Sequence, residues 1–161
     1  MTEADVNNPA AQAGAINFQL VVFAMGGQQY AVKITLIREI LSSVYITPAP
    51  KMPWFCPGII NLRGDIIPVF DFRRYLRHER PAGGLDDIYI ILSYGGTSFF
   101  LIADSVIDTV KTPEKGIVRL EVQKECIQGF VQLGSRMILV LNPDDMMNAV
   151  ESEIAVIAGK Q

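Results

Sequence analysis

The 161-residue sequence predicts an all-β protein made of two similar small β-barrels that pack on each other with a groove between them. Most of the chain consists of short apolar and β-branched runs separated by glycine, proline and asparagine turns, a pattern typical of strands. The second half repeats the order of the first, and each half holds only about five short strands, too few for a large sandwich. Closing such a small sheet into a barrel removes its exposed edges.

The first half begins with a β-hairpin. A β-rich run at 18–25 is followed by the Gly26-Gly27 turn, and the chain returns through 29–34. Further short apolar segments at 36–41 and 44–47 follow this hairpin. These runs account for the first strands of the predicted barrel.

A second hairpin follows a proline-rich connection. Four prolines at 48–57 exclude a helix or a central strand there, so this part is predicted to be extended. The hairpin, PGIINLRGDIIPVFDFR at 57–73, leads into a short helix at 71–77 that Asp71 caps. A polar, glycine-rich linker at 78–86 then separates the two halves.

The second half of the sequence repeats this order of elements. Three pairs of segments carry the repeat: VVFAMGGQQYAV (21–32) with IILSYGGTSFFL (90–101), TLIREI (35–40) with SVIDTV (105–110), and GIINLRGDIIPVFD (58–71) with GFVQLGSRMILVLN (129–142). Each half therefore supplies two hairpins joined by a middle segment, and a short helix follows, the second at 143–150.

The repeat also predicts the domain organisation. We expect a disordered N-terminal tail at 1–16 and a single domain at 17–150 with two intertwined lobes, roughly 17–80 and 86–150. The remaining residues, 151–161, are expected to form a C-terminal tail or a short helix.

Composition limits the class of protein. A net charge of −3 and a pI of about 5.1 argue against a general nucleic-acid binder, which needs a basic surface. Cys56 and Cys126 lie far apart without metal-binding spacing, which indicates reduced thiols in a cytosolic protein. The first residues lack the basic and apolar regions of a signal peptide, and no apolar run approaches the roughly 20 residues of a membrane span. We therefore expect a soluble, cytoplasmic protein without direct membrane insertion.

The sequence also lacks the usual parts of an active site. His78 is the single histidine, and no HxxxH, CxxC or GxSxG motif is present, so zinc and serine hydrolases lack their ligands and nucleophile. Asp144-Asp145 suit the first turn of a helix, and Asp86-Asp87 are interpreted as solvated residues before a strand. We therefore predict no catalytic residue, no metal and no cofactor.

The arginines are concentrated between residues 63 and 80. Arg73, Arg74, Arg77 and Arg80 fit a solvated helix face, but Arg63 lies at the apex of an apolar hairpin. In the repeat, Gly134 occupies the corresponding place, so the architecture does not require an arginine there. An arginine at a rigid turn beside apolar surface indicates a recognition residue.

These motifs resemble those of the CheW family of bacterial chemotaxis adaptors. The resemblance covers about residues 18–150 and is carried by FQLVVFAMGGQQYAV, IREI, ITPAPKMP, PGIINLRGDIIPVFDFR, LIADSVIDTV and MILVLNPDDMM. Its most specific part is the Asn-Leu-Arg-Gly hairpin followed by an apolar-Pro-apolar-Asp strand.

The resemblance implies a non-enzymatic scaffold of two five-stranded SH3-like barrels. Such adaptors bridge the cytoplasmic tips of chemoreceptors to the regulatory domain of a CheA-type histidine kinase, and they reach receptor arrays at the inner membrane through these partners. By position, the receptor-facing residues in the groove between the barrels would be Ile37, Glu39, Gly58, Asn61 and Arg63. Kinase contacts lie largely on the first barrel, where Ile34 matches such a position.

The sequence departs from the family pattern at two positions, which leaves the identity of the partners open. Lys33 replaces an often apolar residue, and Pro57 lies where flexible or apolar residues are common. An adaptor of a type IV pilus twitching system would fit the same motifs. A CheW-like domain of a kinase or of a receiver-fused adaptor fits less well, because the chain starts at Met1 and has no ATP-binding or phospho-histidine module. A nucleic-acid-binding SH3-like or OB-like module and a small hydrolase are the remote alternatives.

Overall fold

The computed structural model describes residues 17–76, 86–124 and 126–159. The predicted N-terminal tail at 1–16 and most of the predicted linker at 78–86 lie outside these residues. The described chain forms the strands β1 (Asn17–Met25), β2 (Gln28–Lys33), β3 (Ile37–Leu41), β4 (Gly58–Leu62), β5 (Asp65–Phe70), β6 (Ile88–Tyr94), β7 (Thr97–Ala103), β8 (Ser105–Pro113), β9 (Val118–Lys124), β10 (Ile127–Leu133) and β11 (Arg136–Leu141). The predicted all-β class is therefore confirmed.

Short helical segments join and follow the strands. Two 3-10 turns, Ile34–Leu36 and Glu114–Gly116, precede β3 and β9. The helix α1 covers Phe72–Tyr75, and the backbone N–H of Arg73 donates to the Asp71 carboxylate at 3.1 Å, so the predicted N-cap is confirmed.

The helix after the second half, α2, is longer than predicted. It covers Pro143–Gly159 and thus continues through much of the predicted C-terminal tail or short helix. The Asn142 side chain accepts a hydrogen bond from the backbone N–H of Asp144 at 2.9 Å, the same contact that Asp71 makes at α1. Met146 and Met147 are buried and anchor α2 on the core.

The strands form two sheets of similar order. The first sheet has the order β8-β1-β2-β11-β10-β9, and the second has the order β3-β6-β7-β5-β4. The repeat matches each strand of the second sheet with a strand of the first: β3 with β8, β6 with β1, β7 with β2, β5 with β11 and β4 with β10. The second sheet therefore has the order of the first sheet without β9. Five strands were predicted for each barrel. The second sheet has five strands, whereas the first has six.

The two halves exchange their N-terminal hairpins. The β1–β2 hairpin belongs to the predicted lobe at 17–80, but it pairs with β8 and β11 of the other half. Conversely, the β6–β7 hairpin pairs with β3 and β5. Each sheet therefore depends on strands from both halves of the chain.

Two ion pairs require both sheets to curl. Arg38 on β3 lies 3.4 Å from Asp65 on β5, and Arg136 on β11 lies 3.0 Å from Asp108 on β8. Each pair joins strands that are three places apart in their sheet, a separation of about 14 Å in a flat sheet. Side chains of this length cannot cover that distance, so both sheets must bend toward closure.

The largest hydrophobic cluster lies where the two sheets meet. It combines Phe23 and Tyr30 of the first sheet with Phe70 and Phe99 of the second, all of them buried. Smaller buried clusters fill the inside of each sheet separately. Because fully burying one large apolar side chain contributes about 1.5–3 kcal/mol, the shared cluster makes the two sheets one cooperative unit.

A buried arginine joins the ends of three strands of the second sheet. Arg73 is fully buried and donates hydrogen bonds to the carboxylates of Asp71 (3.1 Å), Asp87 (2.9 and 3.1 Å) and Asp104 (2.9 Å). Burial alone would lower the pKa of Arg73, but the bonds to Asp87 and Asp71 outweigh it, and the pKa is raised. The prediction that Arg73 and Asp87 are solvated was wrong, because their charges are paired inside the protein.

The exchanged topology predicts that neither half folds alone. If residues 1–80 and 86–161 are expressed separately, each loses strand partners for its hairpin and exposes its share of the common cluster. We expect neither half to unfold cooperatively in chemical denaturation followed by circular dichroism, and mixing them should restore part of the native signal. Sharp cooperative unfolding of either half by itself would contradict this prediction.

Candidate functional site

The hairpin between β4 and β5 has a two-residue turn formed by Arg63 and Gly64. Leu62 pairs with Asp65 across the hairpin, and the turn residues have φ values of 50° and 91°. Positive φ at both central positions is the geometry of a type I′ turn, which matches the twist of the strands. The Asn61 side chain accepts a hydrogen bond from the backbone N–H of Gly64 at 3.0 Å and fixes the turn.

Arg63 forms a bidentate ion pair with Glu39 of β3. The guanidinium nitrogens Nη1 and Nη2 donate to the two carboxylate oxygens at 3.0 and 2.9 Å. The hydrogen bond from Arg63 lowers the pKa of Glu39, and the same contact raises the pKa of Arg63. The Arg63 side chain remains 69% exposed and that of Glu39 27%, so the pair presents mainly the guanidinium to solvent.

The structure therefore brings three of the five predicted receptor-facing residues into one contact group. Arg63 and Asn61 share the hairpin tip, and Glu39 of β3 pairs with Arg63. Ile37 is half-buried on the same strand and packs against the large shared cluster. The predicted kinase-contacting residue Ile34 is 38% exposed in the 3-10 turn before β3.

Gly58 has a packing role that its position in the sequence did not reveal. It is buried at the start of β4, and a Cβ atom there would collide with the backbone oxygen of Thr47. Its counterpart in the repeat, Gly129, approaches the backbone oxygen of Val118 in the same way. Both glycines allow a neighbouring segment to pack directly on the strand.

Two surface grooves lie near these residues. One has a volume of about 640 Å³ and runs between the second sheet and α2, with Arg38, Asp65, Ile66 and Met147 among its lining residues. The other, of about 460 Å³, lies between the end of β6, strands β9 and β10, and the start of α2. Neither groove is lined by Arg63, because its side chain turns toward Glu39. That Arg63 faces the groove between the two barrels stays a prediction.

Sequence reasoning missed the ion pairs that hold the hairpin tips. Arg38 and Asp65 correspond in the repeat to Asp108 and Arg136, so the same contact occurs twice with its charges reversed. Aligning charged residues of opposite sign across the repeat would have found both pairs. Glu39 and Arg63 correspond instead to Thr109 and Gly134, so their ion pair has no counterpart.

Other kinds of site were sought among the same residues. In the part of the chain that the structure describes, no group of three or more His, Cys, Asp or Glu side chains could hold a metal ion. Cys56 and Cys126 are buried, and burial raises the pKa of the Cys56 thiol. Neither α1 nor α2, the helices of the described residues, is long and apolar enough to cross a membrane.

A family model described as the CheW-like domain matches residues 19–151. The chain belongs to the CheW-like domain family. This match includes every strand from β2 to β11, the Arg63 hairpin and the Glu39 strand. The resemblance identified from the sequence motifs is therefore confirmed.

Relatives and a solved structure share most of this domain. The chemotaxis protein CheW of Rhizobium meliloti is 26% identical, and the match covers 85% of this chain and 92% of that protein. The chemotaxis protein CheW of Bacillus subtilis is 27% identical, and the match covers 86% of this chain and 92% of that protein. Protein FrzA of Myxococcus xanthus is 27% identical over 60% of each chain. The crystal structure of the scaffolding protein TtCheW from Thermoanaerobacter tengcongensis has a TM-score of 0.72, with 28% identity over 79% of this chain and 90% of that one.

Substituting alanine for Gly58 tests its packing role. Gly58→Ala and the matched variant Gly129→Ala should each lower the free energy of unfolding by about 1–3 kcal/mol, because both add an atom to a filled space. Urea denaturation of the two variants measures this loss. An unchanged stability of Gly58→Ala would mean that the glycine is not required for packing.

Removing the Arg63 side chain tests the ion pair. The pKa of Glu39 is lowered in the folded protein, so the pair contributes to stability above the unfolded pKa of glutamate, about 4.3, and is lost as the pH falls through the folded value. In Arg63→Gly the pKa of Glu39 should rise, while the melting temperature stays within a few degrees because glycine accepts the positive φ.

A carboxyl NMR titration measures the pKa of Glu39 in this variant. The matched control Arg136→Gly should instead raise the pKa of Asp108, which its ion pair with Arg136 lowers. If the pKa of Glu39 stayed low in Arg63→Gly, the ion pair would not be its cause.

Proposed function

We propose that the protein is a non-enzymatic adaptor that couples chemoreceptors to a CheA-type histidine kinase in bacterial chemotaxis. The observation that carries this proposal is the exposed Arg63–Glu39 ion pair on a CheW-like fold. Its counterparts in the repeat are Gly134 and Thr109, so the fold forms the same hairpin without the pair. An exposed, rigidly held arginine that the architecture does not need is well suited to recognition.

The receptor surface in this proposal is centred on the tip of the β4–β5 hairpin. Arg63, Asn61 and Glu39 supply polar contacts, and Ile37 supplies the adjoining apolar surface. Gly58 acts indirectly, because it lets the segment around Thr47 pack against the strand that leads to this tip. The partner is the cytoplasmic tip of a chemoreceptor, a helical hairpin.

The kinase surface is proposed on the 3-10 turn before β3. Ile34 is exposed there, on a different element from the hairpin tip. The partner is the regulatory domain of the kinase, so the adaptor holds receptor and kinase through separate faces. In this role the protein works in the cytoplasm at receptor arrays, takes no cofactor and binds no nucleic acid.

A twitching-motility adaptor of a type IV pilus system remains the alternative assignment. Two relatives that cover 85% and 86% of this chain are named chemotaxis protein CheW, which favours the chemotaxis assignment. Co-purification of the kinase and receptors from the source cell distinguishes the two pathways.

The proposal predicts a selective loss of receptor binding in Arg63→Ala. Truncating a charge-assisted contact at an interface costs about 2–5 kcal/mol of binding free energy. Receptor tips should therefore bind the variant at least tenfold more weakly, a factor that corresponds to about 1.4 kcal/mol. Kinase affinity should persist, and Arg63→Lys should rescue only partly because an ammonium lacks the planar geometry of the guanidinium.

Affinities of one purified variant for both partners provide the measurement. Arg136→Ala, which removes an ion-paired arginine beside the β10–β11 turn, is the matched control and should keep receptor affinity. Arg63 would be structural if receptor binding were unchanged in Arg63→Ala. The same would follow if the affinities for both partners and the melting temperature all fell together.

A further inference from the structure

The groove at the junction of β6, β9, β10 and α2 carries two basic side chains. Lys33, at the end of β2, and Arg119, on β9, line it together with Tyr94 and Asp144. Apolar residues such as Leu36 complete the lining. On a protein with a net charge of −3, this groove has more positive than negative lining residues.

Both basic groups are available for a partner. No carboxylate of the described residues lies within ion-pair distance of Lys33, whose ammonium instead sits 4.0 Å from the centre of the Phe18 ring. Arg119 is 3.9 Å from Glu114, but the two side chains are 76% and 63% exposed. Exposed pairs of this kind contribute little to stability, so Arg119 can exchange this partner at low cost.

The carboxylate in the groove is already engaged. The Tyr94 hydroxyl donates a hydrogen bond to Asp144 at 2.6 Å, and this bond raises the pKa of Tyr94. Asp144 also lies in the first turn of α2, where the helix dipole favours a negative charge. The hydroxyl and the helix end hold this carboxylate in place, and the two cations leave the groove lining with a net positive charge.

The groove borders the surface proposed for the kinase. Lys33 directly precedes Ile34, and Leu36 ends the same 3-10 turn. We infer that this groove binds an acidic segment of the kinase regulatory domain, and that Lys33 and Arg119 select it by pairing with its carboxylates. This inference rests on the proposed function and names the chemistry of the partner surface.

Charge reversal in the groove tests the inference. Lys33→Glu and Arg119→Glu should each weaken binding of the purified kinase regulatory domain at least tenfold, because each replaces an attraction with a repulsion. Lys111→Glu, the same change at an exposed site on β8 outside the groove, is the matched control and should change the affinity less than twofold. Receptor-tip affinity should remain unchanged in all three variants.

Two further measurements separate the electrostatic role from a structural one. Asp144→Asn keeps an acceptor for Tyr94 but removes the charge, so it should bind the kinase domain more tightly. Binding of the unchanged protein should weaken as salt rises, and the salt dependence should be smaller in Lys33→Glu. Isothermal titration calorimetry at two salt concentrations provides both results.

The outcomes separate this inference from the proposed function. If the unchanged protein binds the kinase domain but Lys33→Glu and Arg119→Glu behave like Lys111→Glu, only the acidic-segment inference is overturned. If receptor affinity falls instead of kinase affinity, the groove belongs to the receptor surface and the inference is likewise wrong. Failure of the unchanged protein to bind any kinase regulatory domain would overturn both.

Discussion

The burial of Arg73 is the constraint on which the two-sheet architecture depends. Its guanidinium joins carboxylates that follow β5, precede β6 and follow β7, and Asp104 in turn accepts a hydrogen bond from Gly26 in the β1–β2 turn. The network thereby connects the second sheet to the exchanged hairpin of the first. Breaking a buried ion pair by removing one partner typically costs about 3–5 kcal/mol, so the hairpin exchange and this arginine stabilise each other.

The internal repeat separates what the fold requires from what it does not. Gly58 and Gly129 permit the same close approach, and the pairs Arg38–Asp65 and Asp108–Arg136 hold the same hairpin tips with reversed charges. A feature present in both halves is explained by the architecture. The ion pair between Arg63 and Glu39 has no counterpart in the other half, so the repeated architecture does not require it, which agrees with the recognition role proposed for Arg63.

Much of the fold was predictable because its signals are local. The glycine turns, the N-cap at Asp71 and the repeat depend on residues close in sequence, and all of them appear in the structure. The hairpin exchange was not predictable from the repeat, because either pairing gives the same local pattern. Arg73 was misread for a related reason. The strand order brings Asp87 next to it in space, and counting charges near Arg73 in the sequence does not reveal this contact.

The partner of Arg63 was missed in the same way, and it changes what the proposed receptor surface can bind. The guanidinium uses two of its five N–H donors on Glu39. Its charge is thus largely compensated, while the remaining donors stay open on an exposed and fixed group. Such a site favours carbonyl or amide oxygens, as at a helix end, over a second carboxylate that would have to compete with Glu39. The receptor face would then bind mainly through hydrogen-bond geometry, and the groove with Lys33 and Arg119 mainly through charge. One small protein could in this way hold two partners without either competing for the other's surface.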